Sequence, residues 1–276
     1  MKARPARGRP CNGRGGRPAG AMLTRMVAGA PSEQTKVPDA VLAAAAGRTL
    51  KLLWRNELGG LTYQVGDDLV VKWAPAGTAL DLAAEVTRLA WASAYLLVPQ
   101  VLDRGTDEHG SWFVATALLG ENAVTERWKA DPATAVAAVG QGLRALHDRL
   151  PVEHCPFTWS VASRLADARQ RQVDPVVLQA LQHSPGIDQL VVCHGDACAP
   201  NTMITDDGRW SAHVDLGALG VADRWADLAI ATWSTQWNYG DGWEDALLDA
   251  YGIAPDPERT DYYRRLWEVD PLVGRA

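Results

Sequence analysis

The chain reads as an α+β protein of two parts, a small antiparallel-sheet lobe followed by a larger, mainly helical lobe. Three observations predict this. Residues 45–119 alternate extended, apolar runs with one helical stretch. The remainder carries long segments of helical periodicity. Within those helices sits a cluster of short strands and turn residues, "VVCHGDACAPNTMITDDGRWSAHVDLG". Runs of strands followed by runs of helices mark a segregated α+β layout, not a parallel βαβ sheet.

The elements follow in order. "DAVLAAAAGRTLKLLW" predicts a short helix and then a strand. "GGLTYQVGDDLVVKWA" predicts two strands joined at Gly66-Asp67-Asp68, residues that suit a tight hairpin. "DLAAEVTRLAWASAYL" has apolar residues at helical spacing and stops before Pro99. "QVLDRG" and "GSWFVATALLG" predict a further strand pair, and a linker is expected near Leu119-Gly120. Three units result: a tail over 1–36, a sheet lobe over 37–119 and a helical lobe over 120–276. In the last, "PATAVAAVGQGLRALHDRL" is amphipathic, and a helix is expected near 160–182. "NTMITDD" and "RWSAHVDL" flank a hairpin turn, and three helices close the chain from "RWADLAIATWSTQW" onward.

The 276 residues are 47% hydrophobic and 22% charged, ordinary for a globular chain. No run approaches the roughly 18 apolar residues of a membrane helix, so no membrane role is expected. Cys11, Cys155, Cys193 and Cys198 lack zinc-finger spacing and suit reduced thiols of a cytoplasmic protein. Residues 1–26 hold seven basic side chains and no acidic one, which leaves 20 basic against 33 acidic beyond them. An acidic body is expected to repel nucleic acid and attract cations. The Arg-, Gly- and Pro-rich opening cannot build a core and is expected to be dispensable. Nothing in the composition demands a second subunit, and a monomer is expected.

The chemistry gathers in the cluster. Asp196 and Asn201 lie five residues apart on a loop leaving a buried strand, and Asp215 follows on the far side of a hairpin. A hairpin returns 201 and 215 to one end, so the three groups can converge. An amide oxygen and a carboxylate there suit a hard cation such as Mg²⁺, and a second carboxylate can orient an alcohol. Phosphoryl transfer needs that division of labour. A different use of the same residues pairs His194/Asp196 with His213/Asp215 as the ligands of a metal-dependent hydrolase, but it gives no task to Asn201, Lys72 or Glu85.

"HGDACAPN" resembles the H-x-D-x-x-x-x-N loop of protein-kinase-like phosphotransferases, and "HVDLG" resembles their metal-binding D-F-G segment. The wider stretch, with "CPF" upstream and "YGIAPDPERTDYYRRLW" downstream, resembles the aminoglycoside phosphotransferases, nearest to the 3′- and 3″-O-kinases, over about residues 50–268. The resemblance implies a two-lobed protein-kinase-like fold, ATP as donor with GTP left open, Mg²⁺, and an aminoglycoside acceptor, with antibiotic resistance as the role. It implies Asp196 as the catalytic aspartate, Asn201 and Asp215 as metal ligands, and His194 and Asp227 as structural supports of the loop. Lys72 and Glu85 would form the phosphate-contacting ion pair, "ELGGLTYQV" would cover the nucleotide, and the backbone of Ala117 and Leu118 would receive the adenine. On the acceptor side, Glu268 matches a family acid, while Trp237 and Asn238 stand where the family commonly offers acids; Trp237 suits an aromatic floor and Asp241 lies close by. The 3′-hydroxyl is the expected target. A streptomycin 3″-kinase, a kinase of another hydroxylated natural product, and a nucleotide-binding pseudokinase are the alternatives.

Overall fold

The computed structural model describes residues 36–56 and 58–269. The basic opening, Glu57 of the expected nucleotide-covering loop and the chain's last residues lie outside the described residues.

Helix α1 (Asp39–Ala45) leads into strands β1 (Leu50–Arg55), β2 (Leu61–Val65) and β3 (Leu69–Pro75). Helix α2 (Leu82–Ala92) follows, then β4 (Val101–Thr106) and β5 (Gly110–Thr116). All five strands join one antiparallel sheet in the order β1-β2-β3-β5-β4. Alternation fixes the faces: Leu61, Tyr63 and Val65 are buried while Thr62 and Gln64 are half-buried. Val71 and Val114 pack with these side chains and with Val41 of α1, which covers that face.

The helical lobe contains β6 (Glu121–Asn122), α3 (Glu126–Lys129), α4 (Pro132–Arg149), α5 (Val161–Gln170), α6 (Pro175–Ala180), β7 (Leu190–Cys193), β8 (Thr202–Ile204), β9 (Trp210–His213), β10 (Gly220–Asp223), α7 (Trp225–Tyr239), α8 (Glu244–Tyr251) and α9 (Pro257–Glu268). Asp-Pro pairs open three of the helices: Asp131, Asp174 and Asp256 accept backbone N–H groups of the first turn, and the following prolines start α4, α6 and α9. The single helix expected near 160–182 is in fact two. Gln172 takes a left-handed backbone (φ 59°), and Asp174-Pro175 begins a new helix. The strand β10 was not foreseen either; it pairs antiparallel with β7, Gly220 opposite Cys193. The expected β8–β9 hairpin forms, and β6 adds a third strand beside β8.

A shared core joins the two lobes. Val86 and Leu89 of α2 and Phe113 of β5 meet Leu146 of α4, Val192 of β7, Leu216 and Leu219. The interface is therefore apolar at its back and polar at its front, where the site lies.

Helices α4 and α8 touch at Gly140. A Cβ there would lie 2.5 Å from the carbonyl oxygen of Leu247 and 2.8 Å from Ala250 Cβ. In an open helix Gly→Ala gains about 0.5–1 kcal/mol. Here the backbone contact reverses the sign. Gly140→Ala is expected to destabilise the protein by about 1–3 kcal/mol, read from urea unfolding.

Candidate active site

Lys72 sits at the centre of the sheet, paired with Thr62 on one side and Phe113 on the other. Val71 points into the core below α1, so Lys72 points the other way, toward α2. Its Nζ lies 2.8 Å from both carboxylate oxygens of Glu85 and 2.7 Å from Oδ1 of Asp215. Glu85 is in the first turn of α2, below the Asp81 cap, and only 5% exposed. Burial pushes the Glu85 carboxyl up to about 7; Lys72 opposes that rise and the charge of Asp215 adds to it. Burial alone would lower the Lys72 ammonium, but Asp215 and Glu85 outweigh it and hold it above its ordinary value, so it stays charged. Arg88, one turn beyond Glu85, donates to the Leu219 carbonyl at 2.9 Å and ties α2 to the segment after Asp215. Sequence reasoning did not single out Arg88; its i+3 spacing from Glu85 was the available signal.

The loop carrying Asp196 leaves the buried end of β7. Gly195 has φ +83°, and a Cβ there would meet the Ala218 carbonyl oxygen at 2.2 Å, so the residue must be glycine. His194 is fully buried and pairs through Nε2 with the Val214 carbonyl at 2.9 Å. Asn201 Nδ2 donates to the Asp196 backbone oxygen at 2.9 Å and to its Oδ2 at 3.2 Å. Oδ1 of Asp196 is sealed from solvent with no hydrogen-bond partner. Burial, and secondly the charge of Asp215, raise the Asp196 carboxyl. Across the hairpin, Thr202 faces His213 and the Val214 N–H donates to the Asn201 carbonyl at 3.0 Å. Asn201 and Asp215 therefore leave the hairpin at the same end. Asp215 holds φ 64°, ψ 50°, a left-handed conformation uncommon outside glycine, and its side chain is 43% exposed. Burial would raise its carboxyl, but the Lys72 ammonium prevails and holds it below the ordinary value.

Asp227, in the first turn of α7, supports this loop. It is wholly buried and accepts the N–H of His194 at 2.6 Å, of Gly195 at 2.9 Å and of His147 Nε2 at 3.0 Å. His147 in turn bonds the Tyr251 hydroxyl at 2.8 Å.

The expected adenine contacts are altered at one atom: the Ala117 N–H is taken by the Asp68 carbonyl at 2.8 Å, leaving the Ala117 carbonyl and the Leu118 backbone. Trp237 is 41% exposed and packs at a tilt against Trp233 (5.0 Å between centroids) and Trp267 (5.8 Å). Asp241 is exposed in the turn after α7, and Glu268 ends α9. The two H-x-D units do not gather as a metal site. Among the described residues, the triple of His, Cys, Asp or Glu groups close enough to hold an ion is His147, Cys193 and Asp227. His213 is buried, and burial first and His194 second push its imidazole down to about 3, so it is neutral at physiological pH.

A five-stranded antiparallel sheet on a helical lobe, joined by a lysine that reaches a helix glutamate and a hairpin aspartate, defines a protein-kinase-like phosphotransferase. The chain belongs to the phosphotransferase enzyme family, whose model matches residues 55–263. It is 35% identical over 223 residues to an aminoglycoside 3′-phosphotransferase of Streptomyces fradiae, covering 71% of this chain and 82% of that protein. It is 35% identical over 250 residues to the streptomycin 3″-kinase of Streptomyces griseus, covering 79% and 90%. The aminoglycoside phosphotransferase APH(3″)-Id of Streptomyces rimosus, solved with ADP and streptomycin, superposes with a TM-score of 0.66 at 26% identity, over 83% of this chain and 96% of that one.

The Asp227 cluster yields a pH-dependent prediction. Burial raises its carboxyl, but His147 and the loop N–H groups outweigh that and hold it below the ordinary value. A depressed carboxylate contributes stability above its unfolded value, near 4, and loses it as pH falls. Asp227→Asn is expected to cost about 3 kcal/mol of unfolding free energy at pH 7. The gap from the unsubstituted protein should narrow below about pH 4, measured by denaturant titration at both pH values.

Proposed function

We propose that this chain is an ATP-dependent aminoglycoside O-phosphotransferase, directed at the 3′-hydroxyl and serving antibiotic resistance in the cytoplasm, as a monomer. One observation carries the reading. The Lys72 ammonium, held by Glu85 beneath the sheet, reaches Asp215 at 2.7 Å, beside the loop on which Asn201 orients Asp196. The relatives' activities, and the ADP in the Streptomyces rimosus complex, support it.

In this reading Lys72 presents its charge to the phosphates, and Glu85 keeps the ammonium aimed into the cleft. Residues 117–118 border the adenine. The donor set fits Mg²⁺: Asn201 spends its amide N–H groups on Asp196, which turns the amide oxygen away from that residue, and Asp215 offers a half-exposed carboxylate with one oxygen beyond Lys72. When bound, the ion neutralises phosphate charge during transfer. Asn201 and Asp215 would hold it. Asp196 has its own task. Its half-buried carboxylate accepts a hydrogen bond from the acceptor hydroxyl, aligns that oxygen with the γ-phosphorus and takes up its proton as the new O–P bond forms and ADP leaves with the electrons of the broken β–γ bridge. Burial raises that carboxyl, which makes it a better proton acceptor than a solvated aspartate.

The acceptor is assigned to the surface formed by α7, α9 and the turn at Asp241. Trp237 offers an aromatic face for an aminosugar or its ammonium groups, with Asp241 and Glu268 as acidic partners. A streptomycin 3″-kinase is the second reading, favoured by the relative of 35% identity that has that activity.

Asp196→Ala is expected to lower turnover at least about 100-fold with ATP affinity within about threefold, by coupled ATP-consumption assay and calorimetry. Equal activity in that variant would end the assignment. Against kanamycin-, neomycin- and streptomycin-type acceptors, with the phosphorylated hydroxyl located by NMR, Trp237→Ala should raise the acceptor KM about tenfold and leave the ATP KM unchanged.

A further inference from the structure

Helix α7 meets the Asp196 loop at two points. Asp227 accepts the N–H groups of His194 and Gly195, just before Asp196. Seven residues later, Ser234 Oγ accepts the Ala199 N–H at 2.9 Å, just after it. Seven residues make nearly two helical turns, so both side chains project from one face about 10 Å apart. The stretch 195–199 spans that interval.

Ser234 is wholly buried. Its Oγ also accepts Asn238 Nδ2 at 3.1 Å, and the same amide holds the Ser234 carbonyl at 2.8 Å. With both lone pairs used, the hydroxyl proton is directed elsewhere. The Cys198 thiol lies beside both Ser234 and the Asp196 carboxyl. Ala199 opens the 3₁₀ turn that ends at Asn201, whose N–H returns to the Cys198 carbonyl at 3.0 Å. Fixing Ala199 therefore fixes the turn that presents Asn201, and through Asn201 the carboxylate of Asp196.

We infer that Ser234 is a positioning residue for the transfer step: its hydroxyl holds the Ala199 N–H, completing with Asp227 a two-point clamp that sets Asp196 against Asn201. This rests on the phosphotransfer reading of Asp196. An alanine would leave a buried N–H without its acceptor, and the loop would shift to find another. Small displacements of an aligned carboxylate are felt in turnover before they are felt in nucleotide binding.

The test sets Ser234→Ala beside Thr235→Ala. Thr235 is the next residue and equally buried, but its hydroxyl donates within the helix, to the Thr232 carbonyl at 2.7 Å. Ser234→Ala is expected to lower kcat about tenfold or more, with the calorimetric affinity for Mg-ATP within about threefold. Thr235→Ala should lose comparable thermal stability and keep kcat within about threefold. Equal kcat losses in the two variants, or an unchanged kcat in Ser234→Ala, overturns the proposal. Should Ser234→Ala not fold, Asn238→Leu removes the amide that orients the hydroxyl from a half-buried position. It should cut kcat at least about threefold, and no change there overturns the proposal equally. If instead Asp196→Ala keeps its turnover, the phosphotransfer reading fails. That outcome is separate from the Ser234 comparison.

Discussion

The Lys72 ammonium is the point on which the site turns. It is a largely enclosed cation, and such a cation persists only where opposite charge surrounds it. Glu85 supplies that charge from α2 and Asp215 from the hairpin segment. Three separate elements are thereby brought to one atom. The sheet sets the height of the lysine, α2 sets its direction, and the hairpin brings the aspartate beneath it. Behind this polar contact, Phe113, Leu146, Val192 and Leu216 close the space between the lobes. The apolar back holds the lobes together, and the ionic front fixes their registration.

The helical lobe solves a different problem, that of holding a loop with special backbone angles. Gly195 and Asp215 both adopt positive φ, and neither conformation is held by a regular ladder. The N–H groups of such a loop must still find acceptors. Asp227 and Ser234 supply them from a single helix, and His194 bonds the Val214 carbonyl that adjoins Asp215. The loop is thus tied to α7 on one side and to the segment of its metal-ligand candidate on the other. His147 and Tyr251 extend the same network to α4 and α8. A change deep between these helices can therefore reach Asp196 without touching a substrate.

Much of this was legible in the sequence, for physical reasons. Both hairpin turns, around Gly66-Asp67-Asp68 and Asp206-Asp207-Gly208, announced themselves through residues suited to tight turns. The convergence of Asn201 and Asp215 then followed from hairpin geometry alone. Lys72 and Glu85 needed the resemblance, since a strand lysine and a helix glutamate carry no local signal that they will meet. The split at Asp174-Pro175 was available in the Asp-Pro pattern shared with α4 and α9, but helical periodicity hid it. The pairing of β7 with β10 was invisible because the 3₁₀ turn between Asp215 and β10 leaves no periodic trace. The Ala117 N–H is spent on Asp68, a partner nearly 50 residues away, which no local pattern encodes.

The two halves of the site differ in how tightly physics constrains them. Transferring a phosphoryl group requires a carboxylate, hard oxygen ligands and a cation at fixed separations, so few residue types will serve and the pattern is readable. Recognising a polyhydroxylated cation has many solutions, built from acids, amides or aromatic faces in any combination. In the proposed reading α7 carries the acceptor surface and the clamp together. Ser234 faces the Asp196 loop, and one turn on, Trp237 opens to solvent against Trp233 and Trp267. On that reading the spacing of a single helix sets how far the acceptor surface stands from the Asp196 carboxylate. If the acceptor sugar rests on that aromatic face, as proposed, its thickness would decide which hydroxyl reaches Asp196, and α7 would turn shape into regiochemistry.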